Sequence, residues 1–327
     1  KIRALLLSVV LGAAFLVAPA QAATQLSVGV AYDIGGRGDK SFNDASAAGL
    51  DKAKKQFDFN VEAVVTDGTT ADREKRIRSL IAKNCNPIIA IGAGYSSTLQ
   101  ALAVEFPNTH FAIINDASVA ALNVTSVIFA NTQGAYLAGF SAAQVSKSGK
   151  VAMIANSSQA DIYKDGFSAG VFASKKKVIP IIKYVSGSYS AATNQVIDAG
   201  ADVVYVATQG SDSEVFKVIV ARNAKKKGSV VGLITVEPDQ YITVTNATKK
   251  FLIASVVKRV DKAIYDIIAL STEKKQYLDI LDADAGIYGR RYGITGGGIE
   301  FTIRSKELSA LSGSINIAAA TAEKISA

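Results

Sequence analysis

The chain has no tryptophan, one histidine, one cysteine, one methionine and only five prolines in 327 residues. Each scarcity excludes something. A single His and a single Cys cannot build a Cys/His zinc centre, which takes about four protein ligands when structural and usually about three when catalytic. A lone Cys cannot close an internal disulfide. Hydrophobic residues make up 49% and charged residues 20%, which excludes a disordered chain of low hydrophobicity and high charge. At about 150 residues per domain, the length suggests two domains, each large enough to bury a core.

The start of the chain carries its own signal. Lys1 and Arg3 precede an apolar run, Ala4–Val17, followed by Ala18-Pro19-Ala20-Gln21-Ala22-Ala23. A basic start, a short apolar centre and an Ala-x-Ala end describe a secretory signal peptide over 1–22, cleaved after Ala22. The run is too short for a membrane anchor, which needs roughly 20 apolar residues. No Cys lies near the cleavage point, so a soluble, periplasmic form is expected. Charges interrupt every later long apolar stretch. An exported protein has no ready supply of ATP or NAD, which counts against enzymes that need them.

From Gln25 onward, strand and helix patterns alternate. Gln25–Tyr32 reads as a strand and Ser41–Gln56 as a helix, with Ser41-x-x-Asp44 able to cap its first turn. Phe59–Val65 is a strand, and Thr70–Lys83 a helix opened by Thr70. Pro87–Gly92, Ser96–Phe106, Thr109–Ile114, Val124–Phe129 and Gln133–Lys147 continue the pattern. A second series runs through Lys150–Ile154, Tyr163–Ser174, Ile179–Val185, Ala191–Ala199, Val203–Ala207, Ser213–Ala224 and Ser229–Leu233. Strands such as Pro87–Gly92 are apolar throughout, as parallel strands covered on both faces are. The expected fold is α/β: two doubly wound, Rossmann-like lobes. With so little Gly/Pro punctuation, short crossing segments in a hinge would join them.

Ligands of such sheets bind beyond the carboxyl ends of the strands. The loops there include 33–43, 66–69, 92–97, 115–117, 155–161, 208–213 and 235–240. They are rich in Asp, Asn, Ser, Thr, Gln and Gly, which suits a neutral polyhydroxy or heterocyclic ligand. Other motifs fail. Gly38-Asp39-Lys40-Ser41 resembles the end of a P-loop, but Asp39 stands where Gly must precede Lys, and its carboxylate would repel a phosphate. Gly36-x-Gly38 lacks the third glycine of the dinucleotide fingerprint. No cofactor or metal is therefore expected. His110 precedes a strand, on the side away from the ligand loops, and reads as a surface residue. Cys85 reads as a buried apolar residue, and Asp161 and Asp165 as helix-start carboxylates. The net charge is +8, but the basic runs 175–177, 225–227, 249–250, 274–275 and 290–291 are short, scattered and mostly at helix ends. None is interleaved with aromatics as a nucleic-acid platform would be, so no nucleic acid is expected.

Asp33-x-Gly35-x-x-x-Asp39-x-Ser41-Phe42-Asn43 resembles the signature loop of the basic membrane protein family, extracytoplasmic substrate-binding proteins of ABC transporters typified by the purine nucleoside receptor. The resemblance extends through Asn84-x-x-Pro87-Ile-Ile-Ala-Ile-Gly92, Phe111-Ala-Ile-Ile-Asn-Asp116, Gln133-Gly-Ala-Tyr-Leu-Ala-Gly139, Ser146-Lys-Ser-Gly-Lys-Val151, Asp198-Ala-Gly-Ala-Asp-Val-Val204, Ser255-Val-Val-Lys-Arg-Val-Asp261 and Gly296-Gly-Gly298. It implies a type I periplasmic binding fold that closes on a nucleoside, a permease as partner, no catalysis and a monomer. The implied lobes are 24–129 plus about 253–285, and 130–252 plus about 286–327.

By the same resemblance, Phe42 would stack on the base and Asn43 would bond its edge. Asp116 or Asn115 would face the base. Glu237 or Asp239, with Lys258, would hold the ribose hydroxyls. Asp39 belongs to the signature loop, and Asp33 would hold the Gly loop. The departures lie in the second lobe: Thr208-Gln-Gly-Ser-Asp-Ser-Glu214 keeps only Gly210 of a Gly-rich binding loop, and Glu237-Pro-Asp-Gln240 replaces an Asp-Ser-Asp-Gln stretch. Relatives with other ligands, riboflavin among them, make a different small polar ligand the alternative. An exported nucleoside hydrolase using Asp33, Asp39 and Asp116 is a further one.

Overall fold

The computed structural model describes residues 25–156, 160–208, 212–225 and 230–325. The expected signal peptide, 1–22, lies outside the described residues. The first half of the chain runs β1 (Ser27–Tyr32), α1 (Phe42–Lys54), β2 (Asn60–Val65), α2 (Thr70–Ala82), β3 (Ile88–Ile91), α3 (Ser96–Glu105), β4 (Phe111–Ile114), β5 (Val124–Phe129) and α4 (Asn131–Val145). The second runs β6 (Lys150–Asn156), α5 (Ala160–Ala173), β7 (Ile179–Val185), α6 (Tyr189–Asp198), β8 (Val203–Ala207), α7 (Asp212–Lys225), β9 (Gly232–Glu237), α8 (Asn246–Lys249) and β10 (Leu252–Lys258). Then come α9 (Val260–Thr272), β11 (Asp279–Asp282), β12 (Ile287–Tyr292), β13 (Ile299–Ile303), α10 (Lys306–Ser309) and α11 (Ser312–Ala322).

Two sheets result, ordered β11-β12-β5-β4-β3-β1-β2 and β13-β10-β9-β8-β6-β7. All pairings are parallel except those of the edge strands β11 and β13. The fully apolar runs Ile88–Ile91, Phe111–Ile114 and Val203–Ala207 are buried along their whole length, as strands covered by helices on both faces must be. The fold is thus two Rossmann-like lobes of the type I periplasmic binding class.

Strand pairing moves the lobe boundaries. The stretch from 253 was expected in the first lobe, but β10 pairs with β9 and β13 in the second sheet. The stretch from 286 was expected in the second, but β12 pairs with β5 in the first. The chain changes sheets near Ala130, at Arg259 and between Tyr292 and Ile299. An apolar strand pattern states that a strand is buried, not which sheet buries it.

Two helix starts differ from the expected caps. Ser41 makes no side-chain cap bond to α1. Instead Asp39 accepts from the backbone N–H groups of Ser41, Asn43 and Asp44 at 2.8, 3.0 and 3.1 Å. Asp44 turns back and accepts from Gly38 and Lys40. For α2 the cap is Thr69, not Thr70, and it accepts from Asp72 N–H at 3.2 Å. Both carboxylates lie where unpaired N–H groups and the positive helix end favour them. Cys85 is buried, and His110 is exposed at the amino end of β4.

Candidate functional site

The carboxyl end of β1 feeds a loop whose shape is held from within. Asn43 is 1% exposed. Its Oδ1 accepts from Asp33 N–H at 3.0 Å, and its Nδ2 donates to the Asp33 and Ile34 carbonyls at 3.2 and 3.3 Å. The Asn43 amide is therefore spent on the loop, and its expected bond to a base edge is not what the geometry offers. Asp33 pairs with Arg73 at 2.8 Å; Arg73 also donates to the Gly68 carbonyl and lies 5.4 Å from the Tyr95 ring centroid. That bridge ties the loop to α2. With its neighbours fixed, the half-buried Phe42 ring faces a cavity of about 220 Å³ shared with Asp33, Asp39, Asn43, Gly92 and Asn115. Gly92 has φ +99°, and a Cβ there would lie 3.3 Å from Asp33 Oδ2. Asn115 also has positive φ, +66°, a conformation Asn tolerates better than most residues. Asp116 turns away from this space: its Oδ1 accepts from Ser118 N–H and Oγ at 2.9 and 2.7 Å.

The second lobe contributes a buried polar cluster at the ends of β9 and β10. Lys258 is 1% exposed and donates to Tyr163 Oη at 3.0 Å. Its Nζ lies 3.7 Å from Glu237 Oε1, an ion pair without a hydrogen bond. Both Glu237 carboxylate oxygens are buried with no donor. Its backbone is also unusual, at φ +128° for a non-glycine residue, the kind of strain that persists where its surroundings enforce it. Tyr205 stacks on Phe167 at 5.6 Å, meets Tyr163 edge-on at 6.3 Å, and leaves its buried hydroxyl without a partner. Asp212 accepts from Thr208 Oγ1 and Gln240 Nε2.

The electrostatics follow from burial. Desolvation pushes the Glu237 carboxyl above its usual range, and the Lys258 charge pulls the other way. Burial likewise raises Asp212, opposed by its bonds from Thr208 and Gln240. For Lys258 burial lowers the value, but Glu237 and Tyr163 outweigh it and the net direction is upward. Lys258 therefore stays charged.

Of the expected residues, the geometry brings together Phe42 and Asn115 in the first lobe and Glu237 and Lys258 in the second. Lys258 Nζ, 5.7 Å from the Phe42 ring centroid, joins the two groups across the lobes. Asp39 is a helix cap. Asp239 is committed elsewhere, accepting from Tyr241 N–H at 3.1 Å and pairing with Arg304 at 2.6 Å. Gly210 lies outside the described residues. Tyr163, Tyr205 and Asp212 were not singled out from the sequence. For Tyr163 and Asp212 the one signal is position beside a strand-end loop of the second lobe, whereas Tyr205 stands in the middle of β8 and carries none. Among the described residues no group of three or more His, Cys, Asp or Glu could hold a metal ion. Beside the Phe42 ring there thus lie a buried ammonium and, next to it, two carboxylate oxygens without a hydrogen-bond donor, a set suited to gripping a neutral, hydroxyl-bearing ring compound.

The sequence pattern of the Bmp family, described as ABC transporter substrate-binding protein PnrA-like, matches residues 26–313. The chain belongs to the Bmp family. Among its relatives is the ABC transporter nucleoside-binding protein BmpA of Lactococcus lactis subsp. cremoris, 28% identical over 261 residues, covering 75% of this chain and 74% of the relative. Basic membrane protein A1 of Borrelia garinii is 30% identical over 229 residues, covering 64% and 65%. Solved structures share the fold. An ABC transporter solute-binding protein from Aeropyrum pernix superposes with TM-score 0.66 at 22% identity, over 91% of this chain and 86% of that one. A transcriptional activator of the comK gene from Bacillus halodurans gives TM-score 0.72 at 20% identity, over 90% and 96%. As a Bmp-family member, this chain is a substrate-binding protein of the ABC transporter kind.

Proposed function

We propose that this Bmp-family protein binds a nucleoside, with a purine base, between its lobes and hands it to a membrane permease outside the cytoplasm, without turnover. One observation carries the reading: buried Glu237 has two oxygens without donors beside Lys258, facing the Phe42 ring. A carboxylate in that state needs two donors, and the vicinal hydroxyls of a ribose supply two at the right separation. Lys258 keeps two N–H groups beyond its bond to Tyr163, offsets the carboxylate charge and donates to ligand oxygens. A base has a broad π face for Phe42, and such stacking is worth about 1–3 kcal/mol. The nucleoside-binding relative supports the ligand class. Among the described residues no helix is long and apolar enough to cross a membrane, consistent with a protein that works beside its permease rather than within it.

Isothermal titration of protein refolded to strip bound ligand tests this, against adenosine, guanosine, inosine, cytidine and riboflavin. A stoichiometric signal for a purine nucleoside is expected, weakened roughly 5- to 150-fold by Phe42→Ala. A signal for riboflavin alone would keep the cleft and replace the nucleoside. Consumption of the nucleoside with release of free base would replace binding by hydrolysis.

A further inference from the structure

Two cavities share Asp39 and Ser41 of the first lobe as lining residues. The inner one, against Phe42 and Asn115, measures about 220 Å³. Small-molecule sites span about 300–1,000 Å³, so the inner cavity alone is too small to enclose a whole ligand. The outer one measures about 600 Å³ and runs along α7 toward α8. One face of α7 forms its wall. Asp212, Phe216 and Val220 recur at four-residue spacing, with Ala221 and Ala224 beside them, so they share one side of the helix. Val244 faces them from the segment before α8.

The chemistry of this wall differs from that of the Glu237–Lys258 cluster. It carries an apolar strip, Phe216, Val220, Ala221 and Ala224 of α7, with Lys40, Lys217, Thr243, Thr245 and Thr248 standing around it. Its two carboxylates are already occupied, Asp212 by Thr208 and Gln240 and Asp39 by three backbone N–H groups. Gln240 also lines the space, and its Oε1 is buried with no donor. The outer cavity therefore offers an apolar strip along α7, a polar rim and, at Gln240 Oε1, a buried acceptor that lacks a donor.

We infer that the outer cavity is a second ligand compartment, built for a flat apolar extension that a plain nucleoside lacks. The preferred ligand is then a nucleoside bearing an aryl or similar ring substituent through an N–H or other short link. This deepens the reading of the interlobe cleft as the ligand site and rests on it. The substituent lies against Phe216 and Val220, and a linking N–H satisfies Gln240 Oε1.

The test is titration calorimetry with adenosine, N6-benzyladenosine and 5′-O-benzyladenosine, read as the ratio of affinities within each protein. In the wild type, one benzyl compound is expected to bind at least tenfold more tightly than adenosine. Val220→Trp, which fills the compartment, should bring that ratio to one or below, and Ala221→Trp should repeat the result from the neighbouring position. Thermal unfolding of each variant establishes that it is folded. Benzyl compounds no tighter than adenosine in the wild type overturn the proposal while leaving the cleft reading intact. So does a tenfold gain that survives both Trp variants. A folded wild type that binds none of the three removes the cleft reading, and the second compartment with it.

Discussion

Phe42 and Asn43 stand side by side in the first loop, yet they do opposite work. Asn43 spends every polar atom on the loop backbone, which leaves Phe42 as the residue whose side chain faces the cavity. The same division separates Glu237 from Asp239. Asp239 is neutralised by Arg304, whereas Glu237 keeps two buried, unbonded oxygens. Sequence reading gave both Phe42 and Asn43 to the ligand and left Glu237 and Asp239 as alternatives, because carboxylates and amides look alike until their partners are known, and Arg304 lies 65 residues from Asp239. The cost of burying Glu237 makes a prediction. Its folded pKa is raised from the ordinary 4.5, so the folded protein holds that proton more tightly than the unfolded chain does. The stability tied to it is present below about 4.5 and is lost as pH climbs through the raised value. Glu237→Gln should flatten that decline, read as urea midpoints against pH at constant m, with Asp212, also raised by burial, leaving a slope of the same sign. An unchanged profile would assign the decline to other groups. The same variant removes the carboxylate that is to grip the ligand hydroxyls, so titration should show weaker binding at neutral pH.

At the scale of elements, the second lobe depends on two helices crossing in close contact. A Cβ at Gly139 of α4 would collide with the Phe167 carbonyl of α5, and one at Gly170 of α5 with the Tyr136 carbonyl of α4. Because the obstacle is backbone rather than a movable side chain, Gly139→Ala should cost about 1–3 kcal/mol by overpacking, even though Ala favours a helix. Urea unfolding measures it, and a neutral or stabilising result would show that the helices can separate freely. The crossing matters to the site, since α5 also carries Tyr163, the acceptor of the Lys258 bond. Helices and strands up to β9 were readable from their periodicity, within a few residues at most ends, whereas the elements after β9 were not assigned. The sheet to which β10 and β12 belong was not, because period reports burial and leaves the neighbour unspecified.

At the scale of the molecule, the three chain crossings and the cleft between the sheets make the lobes a hinged pair. Lys258 occupies the last position of β10, immediately before the crossing at Arg259, and reaches the first lobe's Phe42. Ligand binding should contract the radius of gyration in small-angle scattering. It should also stabilise the protein by about 2.7 kcal/mol when ligand is present at a hundred times its Kd. Stabilisation without contraction would mean that the ligand enters a cleft already shut. By itself the sequence determined the alternation of strand and helix, the two-lobe α/β class, the family resemblance and the loops that could meet a ligand. These are written in local periodicity and short motifs, which need no knowledge of distant partners. Only the tertiary structure decided which polar residues are consumed by the scaffold and which remain unsatisfied. Tyr163, Glu237 and Lys258 are separated by long stretches of chain, and a buried charge acquires its meaning from the groups folded around it.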